Sequence, residues 1–480
     1  MKLAILSFVA LATNGVLSRE ANCSSSNNLT VQTSTGTYTG LIDPKFPKTR
    51  QFRAIPFAKP PVLSRRWLPP QKLSSSSEHH YATRFPPSCP QFVTAVTSLW
   101  NQNLTKGNLI YNGHQNDSSG LVGEATSEDC LIFGFPNARG LANQNQTQNL
   151  GILDQRVALE WVRDNIAAFG GDPNRITHWG QSAGSISADY HAYAYYQDPI
   201  AQAYYLQSGT VFTSSPSKDL MHSNFSFVAH HVGCEAPCGG DEDGAAELDC
   251  MRRVPFAQIV NFIGQYGDQG ATPALSFNVI ADDRIVFLNY TARAEAGKIT
   301  RAPVIISTTA NEFSSLVPYP VNNLTAGPYQ PAVTARDVTI GVCSTLNSTV
   351  YRNRMGAGVP VFRSQHAGTF PNLNYYKWLG AYHASDLPIV FGTYGLLDGI
   401  ANTTRFEVEV SQSMQDHVLA FVKDPFNGPQ KTMGWNPLVA SDPHGGDLIR
   451  FGADGKVSQH VDGVEVDGAC EGLVEYNPFP

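Results

Sequence analysis

His178-Trp179-Gly180-Gln181-Ser182-Ala183-Gly184 is the stretch that decides the fold. Its Gly-x-Ser-x-Gly pattern is typical of a nucleophile elbow, in which a serine lies on a sharp turn between a strand and a helix. The β-prone residues 175–179 predict the strand, and residues 183–196, with no proline and no glycine beyond Gly184, predict the helix. Free N–H groups and the positive end of the helix dipole would then face whatever the serine attacks.

The composition of the 480 residues is that of a globular protein of low charge. Hydrophobic residues make up 42% and charged residues 15% of the chain. The net charge of −7 and the lack of a basic run argue against nucleic acid as a partner. The sequence contains no HExxH motif, P-loop or dinucleotide fingerprint, so we expect no cofactor and no metal. It does not specify an oligomeric state.

Several features predict an exported protein. Residues 1–18 have the positive start, apolar run and small-residue end of a signal peptide, and the run is too short to span a membrane. No second apolar stretch has that length, and residues 19–480 show no repeat or linker, so we predict one domain. Eight cysteines in such a chain indicate disulfides. The ten Asn-x-Ser/Thr sequons are Asn22, Asn28, Asn103, Asn116, Asn145, Asn224, Asn289, Asn323, Asn347 and Asn402.

Alternating strands and helices predict a doubly wound, mostly parallel α/β sheet. The clearest helix is Ile152 to Phe169, where Leu153, Val157 and Trp161 recur at a spacing of four. The predicted strands lie at residues 36–42, 203–207, 304–307 and 373–379.

Candidate partners for Ser182 follow two of these strands. Ligands bind beyond the carboxyl ends of the strands in such a sheet. Glu312 lies just after residues 304–307 and His383 just after residues 373–379, so the order is serine, acid, histidine, as in α/β-hydrolases. His383 would act as the base and Glu312 would orient it. Asp386 is a rival acid, although its position three residues after His383 suits a local cap better.

The chain resembles the type B carboxylesterase/lipase family, which includes fungal secreted esterases and the cholinesterases. The resemblance covers about residues 30 to 455. Its motifs are Gly180–Gly184, with Gln181 where the family has Glu, Ser127-Glu128-Asp129-Cys130-Leu131, Phe169–Asn174, Gln207-Ser208-Gly209, Ala310–Phe313 and Gly380–Asp386.

The resemblance implies an α/β-hydrolase fold and hydrolysis of a small-molecule or lipid ester. It assigns Ser182 as nucleophile, Glu312 as acid and His383 as base. It also places Ser208 in a hydrogen bond near Glu312, and it implies a structural ion pair between Arg66 and Glu128. Gln181 removes a charge beside the serine, which should change the local electrostatics without abolishing attack.

The sequence alone leaves 105 pairings of the eight cysteines open, and two main disulfides are expected. Cys89 is expected to bond Cys130, and Cys234 to bond Cys250, the latter because that loop resembles one in the family. A Cys343–Cys470 bond is a further pairing, which leaves Cys23 and Cys238 unassigned. A zinc site at His230, His231, Cys234 and Cys238 is the alternative reading of that loop.

One departure from the family concerns the oxyanion hole. The family has an HGGG-type loop after the segment corresponding to Cys130-Leu131, but here Ile132-Phe133-Gly134 follows directly. His444-Gly445-Gly446 comes after the elbow and should be a plain turn. Ala183 N–H is the oxyanion donor that remains. We therefore predict a sheet that lacks strands next to the elbow.

The leading hypothesis is an exported serine ester hydrolase that the lost loop impairs, with little or no activity as the chain stands. The alternative is a non-catalytic, esterase-like secreted glycoprotein or a truncated gene product. The absence of the HGGG-type loop is explained either by a real deletion or by a skipped exon.

Overall fold

A computed structural model of the chain describes residues 29–87, scattered positions between 89 and 114, and residues 134–480 apart from 145, 236–239, 355–357, 399–400, 440 and 443–445. The predicted signal peptide lies outside the described residues. So do Glu128, Cys130 and the first two residues of the turn expected at His444-Gly445-Gly446. None of the described helices combines the length and apolar character needed to cross a bilayer.

From residue 177 onward, one or more helices separate successive described strands, except the last two strands. The strands are β1 (Thr30–Thr33), β2 (Gly36–Thr39), β3 (Leu41–Ile42), β4 (Arg50–Gln51), β5 (His79–Tyr81), β6 (Asn108–Leu109), β7 (Gly113–His114), β8 (Thr177–Gln181), β9 (Ala203–Gln207), β10 (Val304–Thr309), β11 (Val361–His366), β12 (Asp447–Phe451) and β13 (Ser458–Asp462). The α-helices are α1 (Arg139–Ala142), α2 (Leu150–Asn165), α3 (Ala183–Ala194), α4 (Ser223–His231), α5 (Ala245–Arg253), α6 (Phe256–Asp268), α7 (Tyr290–Glu295), α8 (Gln330–Arg336), α9 (Cys343–Arg354), α10 (Asp386–Val390), α11 (Arg405–Lys423), α12 (Gly428–Met433) and α13 (Val464–Asp467). Short 3₁₀ helices lie at Leu63–Arg65, Ile166–Phe169, Lys377–Leu379, Tyr394–Leu397 and Gly468–Glu471, and a π-helical turn lies at Asp337–Val342.

The central sheet has six strands in the order β13-β12-β11-β10-β9-β8. All neighbours pair in parallel except β12 and β13, which are antiparallel. The prediction of a mostly parallel, doubly wound sheet is therefore confirmed. Among the described residues the elbow strand β8 pairs with β9 alone, so it forms one edge of this sheet.

The inner strands are buried on both faces, which explains their continuous apolar sequence. Tyr205 and Ile305 belong to a core cluster on the face that α11 covers. Tyr204 and Ile306 point to the opposite face, where residues of α2 and α3 pack. This alternation follows from the two-residue period of a strand, and it holds the carboxyl ends of β8, β9 and β10 in register.

The strand predicted at residues 373–379 is wrong. Those residues form turns and the 3₁₀ helix Lys377–Leu379. The Asn374 side-chain amide donates to the Gly380 carbonyl, which links the residues on either side of this helix. The strand before the histidine is β11, which the sequence hides because it is fully buried yet polar. Its Arg363 donates to Asp467 at 2.7 Å, across 104 residues of sequence. Such a buried cation is tolerated because the carboxylate pairs with it.

Two of the predicted disulfides are present. Cys234 bonds Cys250, and Cys343 bonds Cys470. The proposed Cys89–Cys130 bond falls outside the described residues because Cys130 does. Since Cys234 is oxidised, it is unavailable for zinc, and the described residues contain no cluster of three or more metal-ligating side chains.

Candidate active site

Ser182 lies in the strained turn that the glycine pattern predicts. It joins β8 to α3 with φ 56° and ψ −124°, a conformation that non-glycine residues rarely adopt. A Cβ on Gly180 would lie 2.2 Å from the Gly184 carbonyl oxygen, and one on Gly209 would lie 2.8 Å from that of Ser182. Side chains at these positions would force the turn open, so the glycines are what allow the serine to project from the sheet.

Glu312 is held in a buried loop just past the end of β10. Its Oε1 accepts a hydrogen bond from the Thr309 N–H at 2.7 Å, which folds the loop back on the strand. Ser208 also approaches Glu312 and favours its charged form, although the Ser208 hydroxyl makes no hydrogen bond of ordinary geometry within the described structure. The family resemblance implied a hydrogen bond between Ser208 and Glu312. In the structure the two side chains are close, but without ordinary hydrogen-bond geometry.

His383 bridges the serine and the acid. Its Nδ1 lies 2.6 Å from Glu312 Oε2, and its Nε2 lies 2.8 Å from Ser182 Oγ. A carboxylate accepts hydrogen bonds only, so Nδ1 carries the proton and Nε2 presents a lone pair to the serine hydroxyl. The structure therefore brings together the three residues selected from the sequence, and it places Glu312, not Asp386, against Nδ1.

Burial and mutual charge act in opposite directions on this pair. Burial alone would raise the pKa of Glu312, but the positive charge and hydrogen bond of His383 hold that pKa below its ordinary value. Burial would lower the pKa of His383, but the hydrogen bond and charge of Glu312, with a smaller effect from Asp386, raise it. The acid thus stays ionised and stabilises a protonated imidazole.

Asn311 fixes the acid loop to the histidine loop, a role that the sequence reasoning missed. Its buried side chain donates to the Trp378 and Leu379 carbonyls at 3.0 Å each. Its backbone N–H donates to the Ala381 carbonyl, also at 3.0 Å. The available signal was an asparagine directly before the acid, since such a side chain commonly bonds to nearby backbone.

The two chain neighbours of Ser182 also place polar groups near it. Ala183 is the first residue of α3, so its N–H has no acceptor within the helix and faces the serine turn. Gln181 places its Nε2 at 3.3 Å from His383 Nε2. Beyond β8 the described part of the chain adds no further strand, as the missing-loop prediction requires.

The chain matches the carboxylesterase family over residues 27–135 and 132–338. The two matches meet where the sequence places the missing loop. The chain is 32% identical to secreted lipase 5 of Gibberella zeae, covering 90% of this chain and 92% of the lipase. It is also 32% identical to the chlorogenic acid esterase of Aspergillus niger, covering 92% and 94%.

The alignment with the lipase shows that the lipase has residues that this chain lacks. It runs over 511 positions but uses 90% of this 480-residue chain, about 430 residues, so about 80 positions of the alignment are empty in this chain. A thermophilic PNB esterase of known structure superposes with a TM-score of 0.69 at 18% identity, covering 93% of this chain and all of that one. That likeness concerns the fold.

The mostly parallel sheet and its flanking helices are those of the α/β-hydrolase fold. The sequence matches show that the chain belongs to the carboxylesterase family. It is a secreted carboxylic ester hydrolase by family.

Proposed function

We propose that Ser182, His383 and Glu312 form the catalytic triad of this ester hydrolase, and that a depleted oxyanion hole limits its turnover. The observation that supports the triad most directly is His383 lying within hydrogen-bond distance of both Ser182 and Glu312. We further propose that the mature enzyme is a single glycosylated domain, residues 19–480. In support, the sequons at Asn289, Asn323, Asn347 and Asn402 are exposed.

The reaction uses these groups in two half-reactions. Ser182 Oγ attacks the ester carbonyl carbon while its proton passes to His383 Nε2. The tetrahedral oxyanion lies near the Ala183 N–H. When the intermediate collapses, Nε2 returns the proton to the leaving alcohol, and an acyl-serine remains. Water then repeats the sequence and releases the acid.

A depleted oxyanion hole explains why the expected rate is low. Preorganised donors aimed at the oxyanion are usually the largest catalytic contribution, and removing one costs about 10²–10³ in rate. Here one backbone donor of the elbow remains, and the chain between Cys130 and Ser182 contains no HGGG-type sequence to replace the others.

The test is hydrolysis of a chromogenic short-chain ester by the purified chain, compared with Ser182→Ala. We expect slow turnover that Ser182→Ala removes, together with labelling of Ser182 by a fluorophosphonate. Equal turnover in both proteins would contradict the triad. No labelling and no turnover in either would favour the second candidate, a non-catalytic glycoprotein, which is supported by β8 pairing with β9 alone in the part of the chain that the structure describes.

A further inference from the structure

A buried hydrogen-bonded chain connects the elbow strand to the segment that carries His383. Trp179 of β8 donates its indole N–H to Gln207 Oε1 at the end of β9. Gln207 Nε2 in turn donates to Asp386 Oδ2 at 2.7 Å. Gln207 and Asp386 are almost completely buried, and Asp386 lies three residues after His383. The three side chains therefore join two strands and a helix behind the serine.

The direction of each hydrogen bond in this chain is fixed by chemistry. An indole N–H can only donate, so the Gln207 oxygen must face Trp179. The Gln207 amide nitrogen then faces the carboxyl group, which accepts in either protonation state through its carbonyl oxygen. Asp386 Oδ1 has no hydrogen-bond partner within the described structure, so Gln207 anchors this carboxyl group from one side.

The helix after His383 is also held at its other end. Phe391, directly after α10, stacks on Trp179 with ring centroids 5.0 Å apart and planes 14° apart. The indole also stacks on Tyr205, with ring centroids 4.8 Å apart. One residue of the elbow strand thus contacts both ends of α10, through Gln207 and Asp386 at the start and through Phe391 at the end.

This attachment has particular weight in a sheet that ends at β8. An inner strand is held by hydrogen bonds on both sides, but among the described residues β8 has them from β9 only. The 2.8 Å contact between Ser182 and His383 therefore depends on how the histidine segment is fixed to this edge strand. Misplacing a reacting group by about 1 Å can cost about 10²-fold in rate.

We propose that Trp179, Gln207 and Asp386 are positioning residues that hold His383 in line with Ser182, with Trp179 as the anchor on the elbow strand. The proposal rests on the proposed triad. Asp386, which the sequence offered as a rival acid, acts here through Gln207 rather than by contact with the imidazole.

The experiment compares Trp179→Phe with Trp435→Phe in the full chain. Trp179→Phe keeps an aromatic ring beside Tyr205 and Phe391 but removes the N–H group that donates to Gln207. Trp435 is buried in the same core cluster, and its Nε1 makes no hydrogen bond within the described structure, so Trp435→Phe is the matched control. Because Trp435 is the more buried of the two, a mere packing effect would be larger in the control.

Two readouts report on the histidine. The first is the low-field proton resonance of His383 Nδ1–H, assigned by its loss in His383→Gln. The second is the rate of Ser182 labelling by a fluorophosphonate. In Trp179→Phe we expect the resonance to broaden or disappear and labelling to slow by about 10-fold, part of the cost of a 1 Å displacement. Trp435→Phe should retain both properties.

The outcomes separate the two proposals. If the resonance and the labelling rate of Trp179→Phe equal those of the unaltered chain, the positioning role is overturned and the triad stands. If the unaltered chain shows neither the resonance nor labelling, the triad is overturned and the positioning role falls with it. If Trp435→Phe shows the same losses as Trp179→Phe, the effect is packing, which also overturns the positioning role.

Discussion

The loop after β10 and the helix α2 each carry a buried carboxyl group, and the two groups differ in their partners. After β10, Glu312 has His383 and the Thr309 N–H as partners, and its pKa lies below the ordinary value. In α2, which follows the point where the chain resumes at Gly134, the Asp154 carboxyl is buried and its Oδ2 has no partner within the described structure. Burial raises its pKa to about 8.

The proposed base and nucleophile lie within hydrogen-bond distance of each other, whereas the sequence between Cys130 and Ser182 has no HGGG-type loop. The acid and histidine come from loops after strands that lie on the complete side of the sheet. The family's oxyanion loop belongs to the other side. A chain can therefore keep a well-formed triad and still be a poor catalyst.

The largest expected effect comes from restoring the oxyanion segment that the chain lacks after Leu131. A family-like segment inserted after Leu131 should raise the rate of ester hydrolysis by about 10²–10³-fold for each oxyanion donor restored. The measurement is kcat/KM on a chromogenic ester, together with the melting transition. A glycine- and serine-rich segment of equal length is the control. If the original chain melts cooperatively and hydrolyses the ester as fast as the inserted one, some other pair of N–H groups must bind the oxyanion.

The next largest effect is expected from changing the acid of the proposed triad. Glu312→Gln keeps the shape of the acid but cannot hold the protonated imidazole, so hydrolysis should fall by about 10²-fold or more. Asp386→Asn should change it little, because the amide oxygen still accepts from Gln207. The opposite ranking of these two variants would transfer the acid role to Asp386.

A smaller effect concerns the pH at which the base is active. His383 must be neutral to accept a proton, and its pKa is raised above 6.5, so hydrolysis should decline as the pH falls through that raised value. Gln181→Glu would place a carboxylate near Nε2, stabilise the imidazolium and move the acid limb of the pH–rate profile upward by about one unit. Gln181→Met serves as the uncharged control. An acid limb that stays in place in the glutamate variant would show that residue 181 does not affect the base.

The smallest effect is on stability. Because folding raises the pKa of Asp154 from 3.8 to about 8, its contribution to stability is complete below about pH 4 and is lost as the pH rises through 8. Asp154→Asn should therefore melt at least about 2 °C above the unaltered chain at pH 9, with the difference narrowing toward pH 4. Asp164→Asn, on the exposed face of the same helix, is the control. If the inserted protein shows the same difference in melting temperature, the missing segment is not what leaves Asp154 Oδ2 without a partner within the described structure.

Local patterns made the elbow and its neighbours predictable. The turn at Ser182 is dictated by glycines two residues on either side, and strands β9 and β10 are marked by apolar runs. Strand β11 escaped prediction because Arg363 and Gln365 look like surface residues. Their buried partners, Asp467 and Arg450, come from about 100 residues further along the chain.

The residues that hold the site's loops and strands together, Asn311 and Gln207, could not be predicted for a related reason. Asn311 and Gln207 act on backbone and side chains that only the folded sheet brings near them. The sequence contains each residue but not the distance between them. The order of serine, acid and histidine was predictable because the ends of parallel strands meet at one edge.

The pairing of Arg363 with Asp467 also has a consequence for the order of events during synthesis. At about 5–20 residues per second, the 104 residues that separate them take about 5 to 20 s to be added. Through that interval β11 carries a cation that has no counter-charge from its native partner, so burying it in the sheet would be unfavourable. The strand next to β10 can therefore be buried with its counter-charge only after Asp467 has been synthesised.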